Sequence, residues 1–273
     1  MARNTTSSND RGVSEAIGFM LIFGIVITGI GLVTLYGYPM LLQQQVSADE
    51  KIMEKNMIVL QNDVKSVAYK TVPFKETSLK IGGGSLNVYN SSYTPASSTI
   101  QINYVNNTPY IPPFSPGELR YESMSSQTDI SLQNGAVVLR KHVEPGSVML
   151  AEPRWFYDSR TNIMVINLIN ITSANTMAKE GIGTVQMMLV GEPYYYPPLL
   201  IPNGQSVQLV YTPDSGGQDY SLAWDNYIMK TFNNPPYISV GKSGNTYTLT
   251  NNHPDLLDLN LVIKKFEVEI KSI

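Results

Sequence analysis

From Ala16 to Leu42 the chain reads AIGFMLIFGIVITGIGLVTLYGYPMLL, 27 residues without a charged side chain, and the uncharged run continues to Ala48. About 20 apolar residues cross the roughly 30 Å core of a bilayer as a helix. At about 1.5 Å per residue this run reaches roughly 40 Å, so it spans with tilt or projects beyond the lipid. Beyond it Met53, Met57, Leu60, Val64 and Val67 recur at steps of four and three, and Asp49, Glu50, Lys51, Glu54, Lys55, Asp63 and Lys65 fall between them. That is an apolar stripe on an otherwise solvated helix. No proline separates Pro39 from Pro73, so one helix is predicted from about Ser14 to Ala68, roughly 80 Å long. Pro39 predicts a kink at the exit, and Tyr36 and Tyr38 suit a membrane interface. Ser14/Gly18 and Gly24/Thr28 are small residues four apart, a spacing that lets helices approach closely in lipid.

From Pro73 the period changes from helical to alternating. Strands are predicted at Leu79–Ile81, Leu86–Tyr89, Thr99–Val105, Leu119–Ser123, Ile130–Leu132, Ala136–Lys141, Val148–Glu152, Ile163–Ile171, Gly183–Val190 and Val207–Tyr211. Asn134-Gly135 between two such runs signals a hairpin, and Gly82-Gly83-Gly84 a turn or a bulge. DYSLAWDNYIMKTF, Asp219 to Phe232, returns to helical spacing, and Leu257–Ile270 closes the chain as a strand. The fold class expected is α+β: a long N-terminal transmembrane helix continuing into an amphipathic spine, then a mainly antiparallel, sandwich-like β head with one short helix. The divisions follow as 1–12, a polar leader; 13–72, the helix and its extension; and 73–273, the head.

Composition narrows the function. A formal net charge of −3 gives no basic footprint, so nucleic acid is not an expected partner. The absence of cysteine removes disulfides, thiolate zinc sites and thiol nucleophiles. With His142 and His253 the only histidines, no conventional triad is legible, and no G-x-S-x-G, G-x-G-x-x-G or phosphate loop occurs. No catalytic residue, metal ligand or cofactor is assigned, and no enzymatic activity is expected. Arg3 and Arg11 precede the span and nothing basic lies within eight residues after Leu42, which places the N-terminus inside. Two other readings of the apolar run remain. One is the core helix of a soluble domain, which rarely runs so far uncharged. The other is a secretory signal ending at Val46-Ser47-Ala48, although such apolar regions usually run about 7–15 residues.

Asp10-Arg11-Gly12-Val13-Ser14-Glu15, a basic residue and a glycine directly before a long apolar helix, resembles the class III signal of archaeal type IV pilins and archaellins. The stretch from Gly135 to Ile171, the TVQMMLV run, the AWDNYIMKTF helix and the final strand resemble a group of archaeal membrane proteins with pilin-type N-termini. The resemblance implies cleavage by a prepilin-type peptidase between Gly12 and Val13, with Arg11, Gly12 and Val13 as the processing residues and the apolar helix retained. It implies an assembly role for Glu15, pairing with the terminal amine of a neighbour. Glu15 also reads as an acidic residue favoured by the helix macrodipole. Asp10 offsets Arg11, which departs from the more basic leaders of that family. The function implied is a structural or accessory subunit of a cell-surface filament, with the membrane and other pilin-like subunits as partners. The alternative is a single-span surface protein that does not polymerise and binds a ligand or glycan through its head.

Three glycosylation sequons lie beyond the span, at Asn90, Asn106 and Asn170; Asn90 and Asn106 fall in loop-like surroundings and are the better candidates, whereas Asn170 falls at a strand end and also reads as structural. Tyr194-Tyr195-Tyr196-Pro197-Pro198 reads either as an adhesive aromatic patch or as a turn whose rings cover the sheet. Pro213 to Asp219 lacks the acidic spacing of a calcium loop and is expected to cap the following helix from Asp219.

Overall fold

The computed structural model describes residues 9–70, 72–90, 98–143, 146–214 and 218–273, with the backbone alone for 9–14. Two compact units divide at Ala48/Asp49. Helix α1 (Asn9–Leu32) passes through a π-helical turn, Val33–Gly37, into α2 (Tyr38–Tyr69), which begins in the first unit and ends in the second. Proline accounts for the turn. Pro39 has no N–H, and in a regular α-helix its ring would press on the carbonyl four residues back. The chain widens instead, and the Tyr38 N–H bonds to Val33 O, a π-type closure. The predicted kink is thus expressed as a local change of helical period. Thr28 and Thr34 donate their hydroxyls to Gly24 O and Ile30 O at 2.7 and 2.8 Å, so both are satisfied within the helix, as lipid requires.

The second unit, Asp49–Ile273, holds two sheets. The larger has the order β7-β6-β5-β4-β1-β10-β16-β9-β8: β7 (Ser147–Ala151), β6 (Ala136–Lys141), β5 (Thr128–Gln133), β4 (Glu118–Ser123), β1 (Phe74–Tyr89), β10 (Met177–Leu189), β16 (Leu259–Ser272), β9 (Ile163–Ser173) and β8 (Phe156–Asp158). Two short strands, β11 (Tyr194–Tyr195) and β12 (Leu199–Ile201), also pair with β16. The smaller sheet is β14-β15-β13-β2-β3: β14 (Ile238–Ser243), β15 (Thr246–Asn251), β13 (Ser206–Thr212), β2 (Thr99–Tyr104) and β3 (Pro109–Phe114). Pairing is antiparallel except between β9 and β16.

Strand alternation places the core on both faces of the larger sheet. On one face Leu119, Tyr121, Ile130, Leu132, Ile169 and Val268 pack with Met53, Met57, Leu60, Val64 and Val67 of α2, all five of them fully buried. The stripe predicted from period alone is therefore the helix face laid on the sheet. On the other face Met164, Ile166, Leu261 and Ile263 meet Ile102, Leu209 and Leu249 of the smaller sheet and helix α3 (Ser221–Phe232). Trp224 of α3 lies at the centre, its ring 5.3 Å from Trp155 and 5.5 Å from Tyr211. Together these layers give the α+β arrangement of a long helix and a mainly antiparallel β head.

Three differences from the expected elements have physical causes. Residues 79–89 were expected as two strands parted by a glycine turn or bulge; the bulge is what forms, and one strand, β1, runs through it with a register shift between Ile81 and Ser85. Gly84 makes this bulge feasible: a Cβ there would sit 2.2 Å from Glu122 O. β3, β8, β11, β12 and β14 carry no clear period of two, being short, rich in proline or, in β14, mostly exposed, whereas β15 does alternate, with Tyr247, Leu249 and Asn251 buried, and was missed all the same. Finally α3 begins at Ser221, with the Ser221 N–H donated to Asp219 Oδ1 at 2.8 Å. Asp219 thus ties down the entry to the helix from two residues before it.

Half-buried phenols give the head a pH limit. Burial and a hydrogen bond to Glu122 push Tyr89 up to about 12, and burial pushes Tyr157 to about 12. Each keeps its proton in the folded chain after the unfolded chain has released it at about pH 10. Stability is therefore full below about pH 10 and falls as pH rises from 10 toward 12. In an alkaline titration, unfolding followed by circular dichroism should coincide with the late step in tyrosinate absorbance. Separate transitions would show that the half-buried phenols ionise without loss of the fold.

Candidate functional site

Within the first unit, no residue from Glu15 to Ala48 is buried. Phe19, Met20, Leu35 and Tyr36 are each about 70% exposed, and the helix is long and apolar enough to cross a membrane. Arg11, Gly12 and Val13 lie on the backbone of α1 but outside the residues whose side chains are described. Glu15 is exposed at the start of the apolar surface. Of the sequon asparagines, Asn106 alone is exposed; its Oδ1 accepts from Thr108 N at 3.0 Å. Asn90 is buried and donates Nδ2 to Ser173 O at 2.9 Å, and Asn170 is also buried. Sequence had favoured Asn90 with Asn106 as loop-like; the β1 end that carries Asn90 is instead packed into the sheet.

The head encloses a polar cluster that sequence did not single out. Glu118 and Arg120, two apart on β4, point to the same face and form a short ion pair. Ser131 on β5 donates to Glu118, and Arg120 also reaches Glu122 at 3.3 Å and Asp214 at 3.9 Å. The guanidinium lies 4.4 Å from the Tyr89 ring centroid. Beside this group Asp129 and His142 are 2.6 Å apart. Burial disfavours the Arg120 charge, but Glu118 more than reverses that and raises its pKa. Burial pushes the Asp129 carboxyl up, against the pull of His142. The charges of Glu118 and Arg120 are matched within the cluster, so it reads as a specific lock between the sheet and the segment entering α3.

The opposite face of the sheet, beyond the last turn of α2, holds an open cavity of about 390 Å³, within the range of small-ligand sites. Strand register builds its floor. Phe156 of β8, Val165 of β9 and Val262 of β16 form one cross-strand row; Asn167, Lys264 and Tyr195 form the next. Tyr69 ends the spine and packs edge-on against Phe266 with ring centroids 5.0 Å apart. Two cations stand over rings here: Arg154 over Tyr69 at 4.9 Å and Lys264 over Tyr195 at 5.2 Å. Of the tyrosine triplet only Tyr195 faces this cavity. Tyr194 and Tyr196 lie on the other side of β11, with ring centroids 4.8 Å apart and Tyr196 continuing to Tyr110. The triplet therefore both covers the sheet and leaves rings exposed, Tyr194 and Tyr195 at about 60%.

His253 sits in a turn. Its Nδ1 accepts from the Asp255 N–H and its Nε2 lies 3.1 Å from Ser159 O, an arrangement that assigns the proton to Nε2. Among the described residues no three of His, Asp and Glu converge as metal ligands, and of the Pro213–Asp219 loop, residues 215–217 lie outside the description.

Comparison with curated proteins and with solved structures gave no match. A family model does match, over residues 11–193. The match begins at the leader and takes in the apolar helix, the spine and the strands as far as β10, two thirds of the chain. On that extent the chain belongs to the family of unknown function designated DUF7289.

Proposed function

We propose that this chain is a pilin-like structural or accessory subunit of a cell-surface assembly, held in the membrane by its N-terminal helix with the head outside. The observation that carries this reading is the change of burial along the helical region. Glu15 to Ala48 has no buried residue despite its apolar composition, whereas from Met53 onward a stripe of α2 is buried. Some 20 uncovered apolar positions demand a cover other than water; lipid provides it for a lone subunit, and copies of the same helix provide it in a filament. Cleavage between Gly12 and Val13 by a prepilin-type peptidase would leave Glu15 two residues from a free amine, where an apolar core favours ion pairing between neighbours. The head then carries the surface contacts.

The test is the N-terminal mass of the protein from native membranes. The expected species begins at Val13 and retains Ala16–Leu42, and Gly12→Val should abolish the cut. An intact or Met-trimmed terminus would overturn the pilin-like reading and leave a plain single-span protein. A start at Asp49 would mean a released head and would also overturn it.

A further inference from the structure

We propose that the cavity at the end of the spine binds an acidic saccharide, a hexuronic-acid unit whose carboxylate is held by Arg154 and Lys264 and whose ring lies on the apolar floor. The site exists because the spine is shorter than the sheet it covers. The α2 stripe ends at Val67–Ala68, and the chain turns away after Tyr69. The part of the face made by β8, β9, β16 and β11 is left open beyond it.

Three observations point to the ligand class. The floor carries an apolar row, Phe156–Val165–Val262, and flanking rings such as Tyr195 suit the C–H faces of a pyranose. Among the described residues neither Arg154 nor Lys264 is in an ion pair: Glu152, the nearest acidic residue in sequence to Arg154, is paired with Lys230 at 2.7 Å. Third, another cation, Lys65, lies close to Arg154. Burial and then the Arg154 guanidinium lower the pKa of neighbouring Lys65, whose Nζ bonds to Glu152 O at 2.9 Å. A neutral sugar would leave both cations idle, and a polyanionic nucleic acid would meet a chain of net charge −3. A carboxylated ring matches the cations and the floor together. The inference is independent of whether the chain is processed or polymerises.

The experiment is calorimetric titration of the full chain, in a detergent without a sugar headgroup, with tri-galacturonate and with its neutral counterpart galactotriose. Tri-galacturonate should bind at least tenfold more tightly, and added salt should weaken it. Arg154→Gln and Lys264→Gln should each reduce binding about tenfold with an unchanged melting temperature, and Tyr195→Ala should reduce it for tri-galacturonate as well. Equal binding of both trisaccharides, no binding of either, or full binding by the Arg154→Gln/Lys264→Gln chain would overturn the proposal. So would 4-hydroxybenzoate binding as tightly as tri-galacturonate, since the site would then select a carboxylate on any flat ring. N-terminal mass and these titrations fail separately, so neither result depends on the other.

Discussion

A chain that begins at Pro73 should fail to fold, whereas one that begins at Asp49 should give a soluble, cooperatively melting head. Met53, Met57, Leu60, Val64 and Val67 are each fully buried on the larger sheet. Burial of such side chains contributes about 1.5–3 kcal/mol apiece, so their removal costs on the order of 10 kcal/mol. That is comparable with the entire stability of an ordinary domain, about 5–15 kcal/mol. The loss would also uncover Leu119, Tyr121, Ile130, Leu132 and Val185 as one apolar surface, a strong drive to aggregate. Gel filtration and thermal melting of the two truncations decide it. A monomeric, cooperatively melting chain from Pro73 would show that the spine is accessory to the head.

The second large effect is expected at Arg120. Arg120→Met removes the cation and leaves Glu118 buried with only Ser131 as a described side-chain partner. Breaking one side of a buried pair costs about 3–5 kcal/mol, mostly as the penalty of the stranded charge. The double variant Glu118→Leu/Arg120→Met should therefore recover much of the loss, since it buries two apolar side chains in place of one orphan. Urea denaturation of the single and double variants measures the coupling. If the double variant is no more stable than Arg120→Met, Glu118 is not the group that the arginine neutralises.

The contrast between these two regions explains what was legible beforehand. The spine was readable because its signal is local: five apolar residues at helical spacing within fifteen positions. The Asn134-Gly135 hairpin was readable for the same reason; both residues take the positive φ, 46° and 71°, that this pair of residue types favours. Asn90 looked like a loop residue because turn-forming residues follow it, yet its side chain is committed to Ser173, 83 positions away. The Glu118–Arg120 lock had no local signature, since charges two apart on a strand are ordinary on a solvated face. Only the approach of Asp214 and of buried Tyr220 makes that face an interior. The cavity was hidden more deeply. Its rows join β8, β9, β16 and β11, and no single stretch of sequence contains two adjacent members of the Asn167–Lys264–Tyr195 row.

β16 follows the other described strands in chain order, yet it lies in the interior of the larger sheet between β10 and β9, and it gives Leu261 and Ile263 to one core and Phe266 and Val268 to the other. A nascent chain lacking it has two sheet fragments with unpaired edges and two incomplete cores. Closing that sheet must await β16, and the required pairings span long stretches of chain, which slows folding. A head built this way gains its stability late and all at once, when this strand joins two half-formed sheet fragments and completes both cores.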